Sequence, residues 1–173
     1  MDLSAIIRNV PDFPKAGIQF KDITTLLQNG DAFRYVVDTW KDRYASQEID
    51  VIIGADARGF IFGGALAYAL NKPFSLVRKQ GKLPYDTIAQ SYALEYGEDT
   101  LEMHTDALKH GDRVLLIDDL LATGGTMEAT AKLVEQLGGV IMEMAFVVEL
   151  PPLNGRQRLA NYPVHSLVEF MVD

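Results

Sequence analysis

Val114-Leu115-Leu116-Ile117-Asp118-Asp119-Leu120-Leu121-Ala122-Thr123-Gly124-Gly125-Thr126 is the stretch whose reading decides the fold. Four apolar residues in a row predict a buried strand, and that strand delivers paired carboxylates to a sheet edge. A short loop of Ala, Thr and Gly follows and opens an amphipathic stretch. Backbone N–H groups of such a loop, with a helix N-terminus behind them, form a ready site for a phosphate monoester. Two carboxylates beside a phosphate call for hydroxyls, a metal ion or both, since a carboxylate accepts from a ribose diol. The combination points to a ribose 5-phosphate. A P-loop is excluded because no Gly-Lys-Ser/Thr follows, and the chain has no G-x-G-x-x-G for a dinucleotide.

Working outward, the helix after this loop is predicted over Thr126–Leu137, with Met127, Ala131, Val134 and Leu137 as its apolar stripe. Gly138 and Gly139 end it, and Val140 to Glu149 reads as a long apolar strand. Upstream, Asp50–Ala55 and Phe74–Arg78 read as strands on either side of a small-residue helix, Gly59–Leu70. A helix capped by Asp31 is predicted to reach Ala45, with Val36, Val37, Trp40 and Tyr44 inward. A short helix is predicted over Leu3–Val10 and an extended segment over Ile18–Ile23. Lys79–Ile88 reads as a long exposed loop, and the period-two pattern on either side of Gly97-Glu98-Asp99 reads as a hairpin. A turn with a short helix over Pro151–Asn161 and a strand over His165–Met171 complete the chain. Strands alternating with helices imply an α/β fold, a mostly parallel twisted sheet flanked by helices. Ligands of such sheets sit beyond the carboxyl ends of the strands, so the segments that follow the strands share one rim.

At 173 residues the chain is predicted to form a single domain, residues 1–173. A formal net charge of −8 argues against a nucleic-acid binder, which needs clustered Lys and Arg. Arg78, Lys79 and Lys82 stand out against that acidic background. With no Cys there is no disulfide, thiol chemistry or thiolate metal site. The start Met1-Asp2-Leu3-Ser4 lacks a secretion signal, and no apolar run reaches the roughly 20 residues of a membrane span. The expectation is a cytoplasmic protein that binds no membrane.

The Asp-Asp-Leu-Leu-Ala-Thr-Gly-Gly-Thr run closely resembles the phosphoribosyl diphosphate (PRPP) signature of the type I phosphoribosyltransferases. Its wording is similar to that of the adenine phosphoribosyltransferases among them. The resemblance extends from Phe13 through Val148-Glu149-Leu150 and Gly155-Arg156. It implies the type I phosphoribosyltransferase fold, with residues 1–30 as a small hood over a base site and a flexible loop and hairpin beside it. The implied reaction is the Mg2+-dependent transfer of the phosphoribosyl group from PRPP to adenine, giving AMP and diphosphate. Mg2+ would be held through PRPP oxygens and water, with no direct protein ligand, and a homodimer is implied.

The same resemblance assigns residues. Asp118, Asp119, Ala122, Thr123, Gly124, Gly125 and Thr126 would hold the PRPP ribose and 5-phosphate. Asp56-Ala57-Arg58-Gly59-Phe60 resembles the family's diphosphate loop, in which the bond corresponding to Asp56–Ala57 is often cis. Taken alone, Arg58 reads as a surface residue paired with Asp56. Arg78, Lys79 and Lys82, with Asp56, Ala57 and Arg58, would hold the diphosphate, in part across a dimer interface. Arg58 and Lys82 would also stabilise the leaving group. Ser91-Tyr92-Ala93-Leu94-Glu95-Tyr96-Gly97 resembles the segment that carries the catalytic Glu, here Glu95, with Tyr96 ordering the closed loop. In Phe13-Pro14-Lys15-Ala16-Gly17-Ile18-Gln19-Phe20-Lys21-Asp22, Phe20 would stack on adenine and the Lys21 backbone would pair with its edge, while Leu150 packs on the other face. Phe20 and Leu150 also read as plain core residues. The three His show no metal-ligand spacing. Transfer to xanthine, hypoxanthine-guanine or a pyrimidine, or PRPP sensing without catalysis, are the competing readings.

Overall fold

The computed structural model describes residues 1–94 and 97–171. The strand that carries the paired acids is β7, because six shorter strands precede it. In chain order the strands are β1 (Arg8–Pro11), β2 (Gln19–Asp22), β3 (Val51–Ala55), β4 (Phe74–Lys79), β5 (Thr87–Ala93), β6 (Glu98–His104), β7 (Arg113–Leu121), β8 (Val140–Glu149) and β9 (Val164–Glu169). The helices are α1 (Thr24–Leu27), α2 (Gly30–Tyr44), α3 (Gly59–Leu70), α4 (Gly125–Gln136) and α5 (Gly155–Arg158). Strands β3 to β9 form one sheet in the order β5-β6-β4-β3-β7-β8-β9, and β1 pairs with β2 in a separate ribbon.

The sheet is parallel from β4 through β9, and β5 and β6 add an antiparallel hairpin at one edge. The chain leaves β3 through α3 toward β4, and leaves β7 through α4 toward β8 on the other side. Strands β3 and β7 are therefore neighbours whose following helices diverge, which opens a crevice at their carboxyl ends. Every residue of β3 is buried, and Val114 to Ile117 of β7 are fully enclosed. That two-sided burial is why both strands read as continuous apolar runs rather than alternating ones.

Each face has its own core. Helices α2 and α3 cover one face, where Trp40 packs edge-on to Phe62 with ring centroids 6.1 Å apart, and Phe33 meets Phe62 at 5.7 Å. Helix α4 covers the other with Met127, Ala131 and Val134, the stripe read from the sequence. Burying each aliphatic side chain contributes about 1.5–3 kcal/mol, so these two layers rather than surface ion pairs hold the rim in place.

Several boundaries differ from the sequence reading. Leu3–Val10 is no helix: Leu3 O accepts from Ile6 N and Ile7 N to close one turn. Arg8 to Pro11 then leave it to pair antiparallel with Gln19 to Asp22. The partner strand outweighs four residues of helical pattern. The cap of α2 is Asn29, whose side chain accepts from Ala32 N, and Asp31 lies inside the first turn. The exposed loop is shorter than Lys79–Ile88, because Lys79 still pairs with Leu101, and Thr87 and Ile88 pair with β6. The last strand ends at Glu169 rather than Met171. Most consequential, β7 runs on to Leu121, held by β8 through Leu120↔Val148 and Leu121↔Glu149. The strand, read from the sequence as ending at Asp118, thus holds both acids within its length, braced by a neighbour.

Candidate active site

Asp118 and Asp119 are consecutive residues of β7 near its carboxyl end. Asp119 is 5 % exposed and Asp118 half-buried. The Asp118 carboxylate accepts from Asp119 N–H at 2.8 Å. Burial, and then the Asp119 carboxylate, push Asp118 well above the usual carboxylate range.

The loop after β7 turns through Gly124, whose φ of +83° only Gly adopts without strain. Helix α4 begins there with no side-chain cap, unlike α2. Its first N–H groups therefore face outward with no side chain to receive them. They border a cavity of about 80 Å³ lined by Asp118 and Leu120 through Met127, with Phe146 behind. Ala122, Thr123, Gly124, Gly125 and Thr126 all line it.

The crevice's other wall follows β3. Helix α3 comes so close to β7 that a Cβ on Gly59 would lie 2.8 Å from Ile117 O and 3.0 Å from an Asp118 carboxylate oxygen. That approach carries Arg58 over the acids: its Nε donates to Asp119 Oδ2 at 2.6 Å. Arg58 is therefore paired with Asp119, not with Asp56. The Asp56 carboxylate accepts instead from Arg78 Nε at 3.3 Å and from Lys79 N–H at 3.5 Å. The Asp56–Ala57 peptide is cis, the bond at which the resemblance implied it. Two ion pairs thus link the ends of three adjacent strands, β4, β3 and β7.

Lys79 points to a different partner: its ammonium pairs with Asp99 on β6. Lys82 is exposed on the short loop after β4, with its carbonyl 3.5 Å from Arg78 Nη1. Glu95 and Tyr96 lie outside the described residues.

The β1–β2 ribbon stands beside this rim. Val10, Phe13, Phe20 and Asp22 line a cavity of about 260 Å³, and the Phe13 and Phe20 rings meet edge-on at 5.2 Å. Lys21 sends its ammonium to Asn9 Oδ1 at 2.8 Å and over the Phe170 ring, so its side chain is occupied. Arg8 N–H donates to Thr25 Oγ1, which also lies 3.3 Å from the Asp22 carbonyl. Across the antiparallel ribbon Arg8 stands opposite Asp22 and Asn9 opposite Lys21. Pro11, which lacks an N–H, sits opposite Gln19, where no ladder donor is needed. Leu150 closes β8 as a buried core residue, its N–H bonded to Leu121 O. It lines no part of the Phe13–Phe20 cavity.

Sequence reasoning passed over Phe13 as a wall of that cavity, although an aromatic seven residues before another across a Gly turn was the available signal. It also missed Tyr92, whose hydroxyl accepts from Thr126 Oγ1 at 3.4 Å, and Arg158, which reaches Glu128 in the first turn of α4. Among the described residues no three His, Cys, Asp or Glu side chains group to hold a metal. No helix there is long and apolar enough to cross a membrane.

A doubly wound sheet with an uncapped helix start, paired acids and an arginine on one crevice defines a phosphoribosyltransferase-type site, and the family model described as "Phosphoribosyl transferase domain" matches residues 23–164. The adenine phosphoribosyltransferase of Brachyspira hyodysenteriae is 56 % identical over 98 % of this chain and 100 % of its own. The crystal structure of adenine phosphoribosyltransferase from Thermoanaerobacter pseudethanolicus superposes with a TM-score of 0.94 at 48 % identity, covering 98 % of each chain. That of Saccharomyces cerevisiae, solved with an imino-altritol bisphosphate and adenine, gives 0.92 at 38 % identity, covering 96 % of this chain and 97 % of its own. The chain belongs to the adenine phosphoribosyltransferase family.

Proposed function

We propose that this chain transfers the 5-phosphoribosyl group of PRPP to adenine, releasing AMP and diphosphate, the activity its relatives' names carry. The observation that carries the reading is the crevice itself: an uncapped α4 start, Asp118 and Asp119, and Arg58 converge between β7 and β3. The first N–H groups of α4 suit the 5-phosphate. Asp118 and Asp119 suit the ribose hydroxyls, and the charge of the Asp119 carboxylate favours an oxocarbenium-like transition state. As the bond from C1 of the ribose to diphosphate oxygen breaks, the electron pair leaves with diphosphate. Arg58, Arg78, Lys79 and Lys82 are the cations available to receive it.

Adenine N9 forms the new C–N bond and gives up its proton, for which Glu95 is the proposed acceptor. Phe20 supplies a stacking face at the hood formed by residues 1–30. The Lys21 backbone is the proposed reader of the adenine edge: a fixed acceptor meets the N6 amine but repels the O6 of hypoxanthine or guanine. Leu150 would pack on the other face of adenine.

Magnesium belongs to the proposal as the counter-charge on PRPP. The available donors fit that role, since Asp118 and Asp119 offer hard oxygens but too few for a protein cage. The ion would bring the rest of its ligands with the substrate and water. A cytoplasmic homodimer completes the proposal, and sedimentation of the purified protein tests the dimer.

The deciding experiment is AMP formation from PRPP, Mg2+ and adenine, with hypoxanthine, guanine, xanthine, uracil and orotate as parallel acceptors. Turnover with adenine alone is the expected result. Turnover only with another base would overturn the hood reading, and silence with all six would favour PRPP sensing without catalysis.

A further inference from the structure

We propose that Asp99 is a counter-ion that competes with diphosphate for Lys79, and so sets how readily the leaving group departs. The inference rests on the proposed diphosphate role of Lys79 and adds a residue that role does not include. Asp99 lies on β6 directly opposite Tyr92 of β5, and two residues before Leu101, the pairing partner of Lys79. It is thus held between Lys79 and Tyr92.

Its Oδ2 pairs with the Lys79 ammonium and lies 3.3 Å from the Tyr92 hydroxyl, and its Oδ1 accepts from Thr100 N–H at 2.9 Å. The Tyr92 ring in turn lies against the start of α4, where a Cβ on Gly125 would come within 3.3 Å of it. Asp99 is therefore fixed by strand pairing and by a side chain seated on the 5-phosphate loop. The Lys79 backbone is held by its pairing with Leu101 and by its N–H on Asp56, whereas its ammonium sits at the end of a flexible four-carbon stem. Its long stem lets the ammonium exchange partners while the carboxylate stays.

The two charged groups remain substantially open to water, with side chains 45 % and 24 % exposed. Such a pair holds weakly, whereas a diphosphate brings several negative charges to the same ammonium. Lys79 would pass from Asp99 to diphosphate as substrate binds and return as product leaves. The return offsets part of the diphosphate affinity that Lys79 would otherwise add to that of Arg58, Arg78 and Lys82. Asp99 touches no substrate in this scheme and acts through Lys79 as a positioning residue.

The test is calorimetric titration of sodium diphosphate with Mg2+, and separately of AMP, into the wild type, Lys79→Ala, Asp99→Asn and the double variant. Lys79→Ala is expected to weaken diphosphate, and Asp99→Asn to tighten it about two- to fivefold, the range an exposed pair supports. The double variant should match Lys79→Ala, because the counter-ion acts only through that lysine. AMP affinity should hold in Asp99→Asn, whereas a merely structural role for Asp99 would move both ligands. If Lys79→Ala weakens diphosphate but Asp99→Asn leaves it unchanged or weaker, the counter-ion inference falls and the proposed reaction stands. If Lys79→Ala changes nothing, the diphosphate role of Lys79 falls and takes the inference with it. Should Asp99→Asn fail to fold, Asp99→Ser removes the same charge with less bulk.

Discussion

Arg58 Nε stands 2.6 Å from Asp119 Oδ2, so the cation proposed for diphosphate neutralises an acid proposed for ribose. Asp119 is buried whereas the arginine side chain is 49 % exposed. The guanidinium keeps its two Nη groups for other partners. PRPP would replace both halves of this pair at once, its hydroxyls taking the carboxylate and its diphosphate the guanidinium.

Removing the arginine should therefore damage two things. Arg58→Ala is expected to lower kcat/KM for PRPP by about 100-fold or more, the usual effect of one lost charge-stabilising donor. It should also lower the melting temperature, because Asp119 is left as an uncompensated buried charge. Arg58→Lys should recover the stability but little of the rate, since an ammonium lacks the planar fork that suits paired oxygens. Steady-state kinetics with thermal melting separate the two losses. Full activity in Arg58→Ala would remove the arginine from the mechanism.

Gly124 offers a sharper probe of the phosphate loop. A Cβ there would be strained by the φ of +83° and would lie 3.0 Å from Gly155 O, a backbone atom that cannot swing aside. Gly124→Ala should cost about 1–2 kcal/mol of stability. If the loop holds the 5-phosphate, it should also raise KM for PRPP far more than KM for adenine. An equal rise in both would place the 5-phosphate elsewhere.

How much of this was legible in the sequence depended on how far each interaction reached along the chain. Helix α3 over Gly59–Leu70 and strand β8 over Val140–Glu149 match the sequence reading to the residue, because their apolar patterns and flanking turns are local signals. The β1–β2 ribbon was not legible: four-residue strands carry little periodicity, and the turn between them depends on Asp12 at φ +57° and Gly17 at φ +87°. At the site, residue types and their shared rim could be read, but pairings could not. Arg58 lies two residues from Asp56 in sequence, yet Asp119, 61 positions away, is its partner because α3 is pressed onto β7 at Gly59. Lys79 likewise reads as one of three free cations until the sheet brings Asp99 alongside. Glu95 is legible only through the family resemblance.

The hood separates side-chain from backbone recognition. Phe20→Ala should raise KM for adenine roughly tenfold or more, since stacking a base on an aromatic ring is worth about 1–3 kcal/mol. Lys21→Ala keeps the backbone and should leave the preference for adenine over hypoxanthine unchanged. It loses only the contacts of the ammonium with Asn9 and Phe170. A loss of base preference in Lys21→Ala would show that the side chain, rather than the main chain, reads the base.

Acid should loosen that hood through Asp22. The Thr24 N–H and hydroxyl, together with the Arg8 guanidinium, hold its carboxyl down at about 2, against an ordinary value near 3.9. A carboxylate with a depressed folded pKa stabilises the fold fully above its unfolded value, and that contribution fades as pH falls through the folded one. Asp22 should thus support the ribbon at pH 5 and above, and lose that role progressively between about pH 4 and pH 2. Asp22→Asn cannot ionise, so its deficit in melting temperature relative to wild type should be largest near neutrality and shrink across that window. The same substitution also keeps an oxygen acceptor for Thr24, which confines the loss chiefly to the charge facing Arg8. A deficit that stays constant from pH 6 to pH 2 would mean that Asp22 contributes by shape and neutral hydrogen bonds alone.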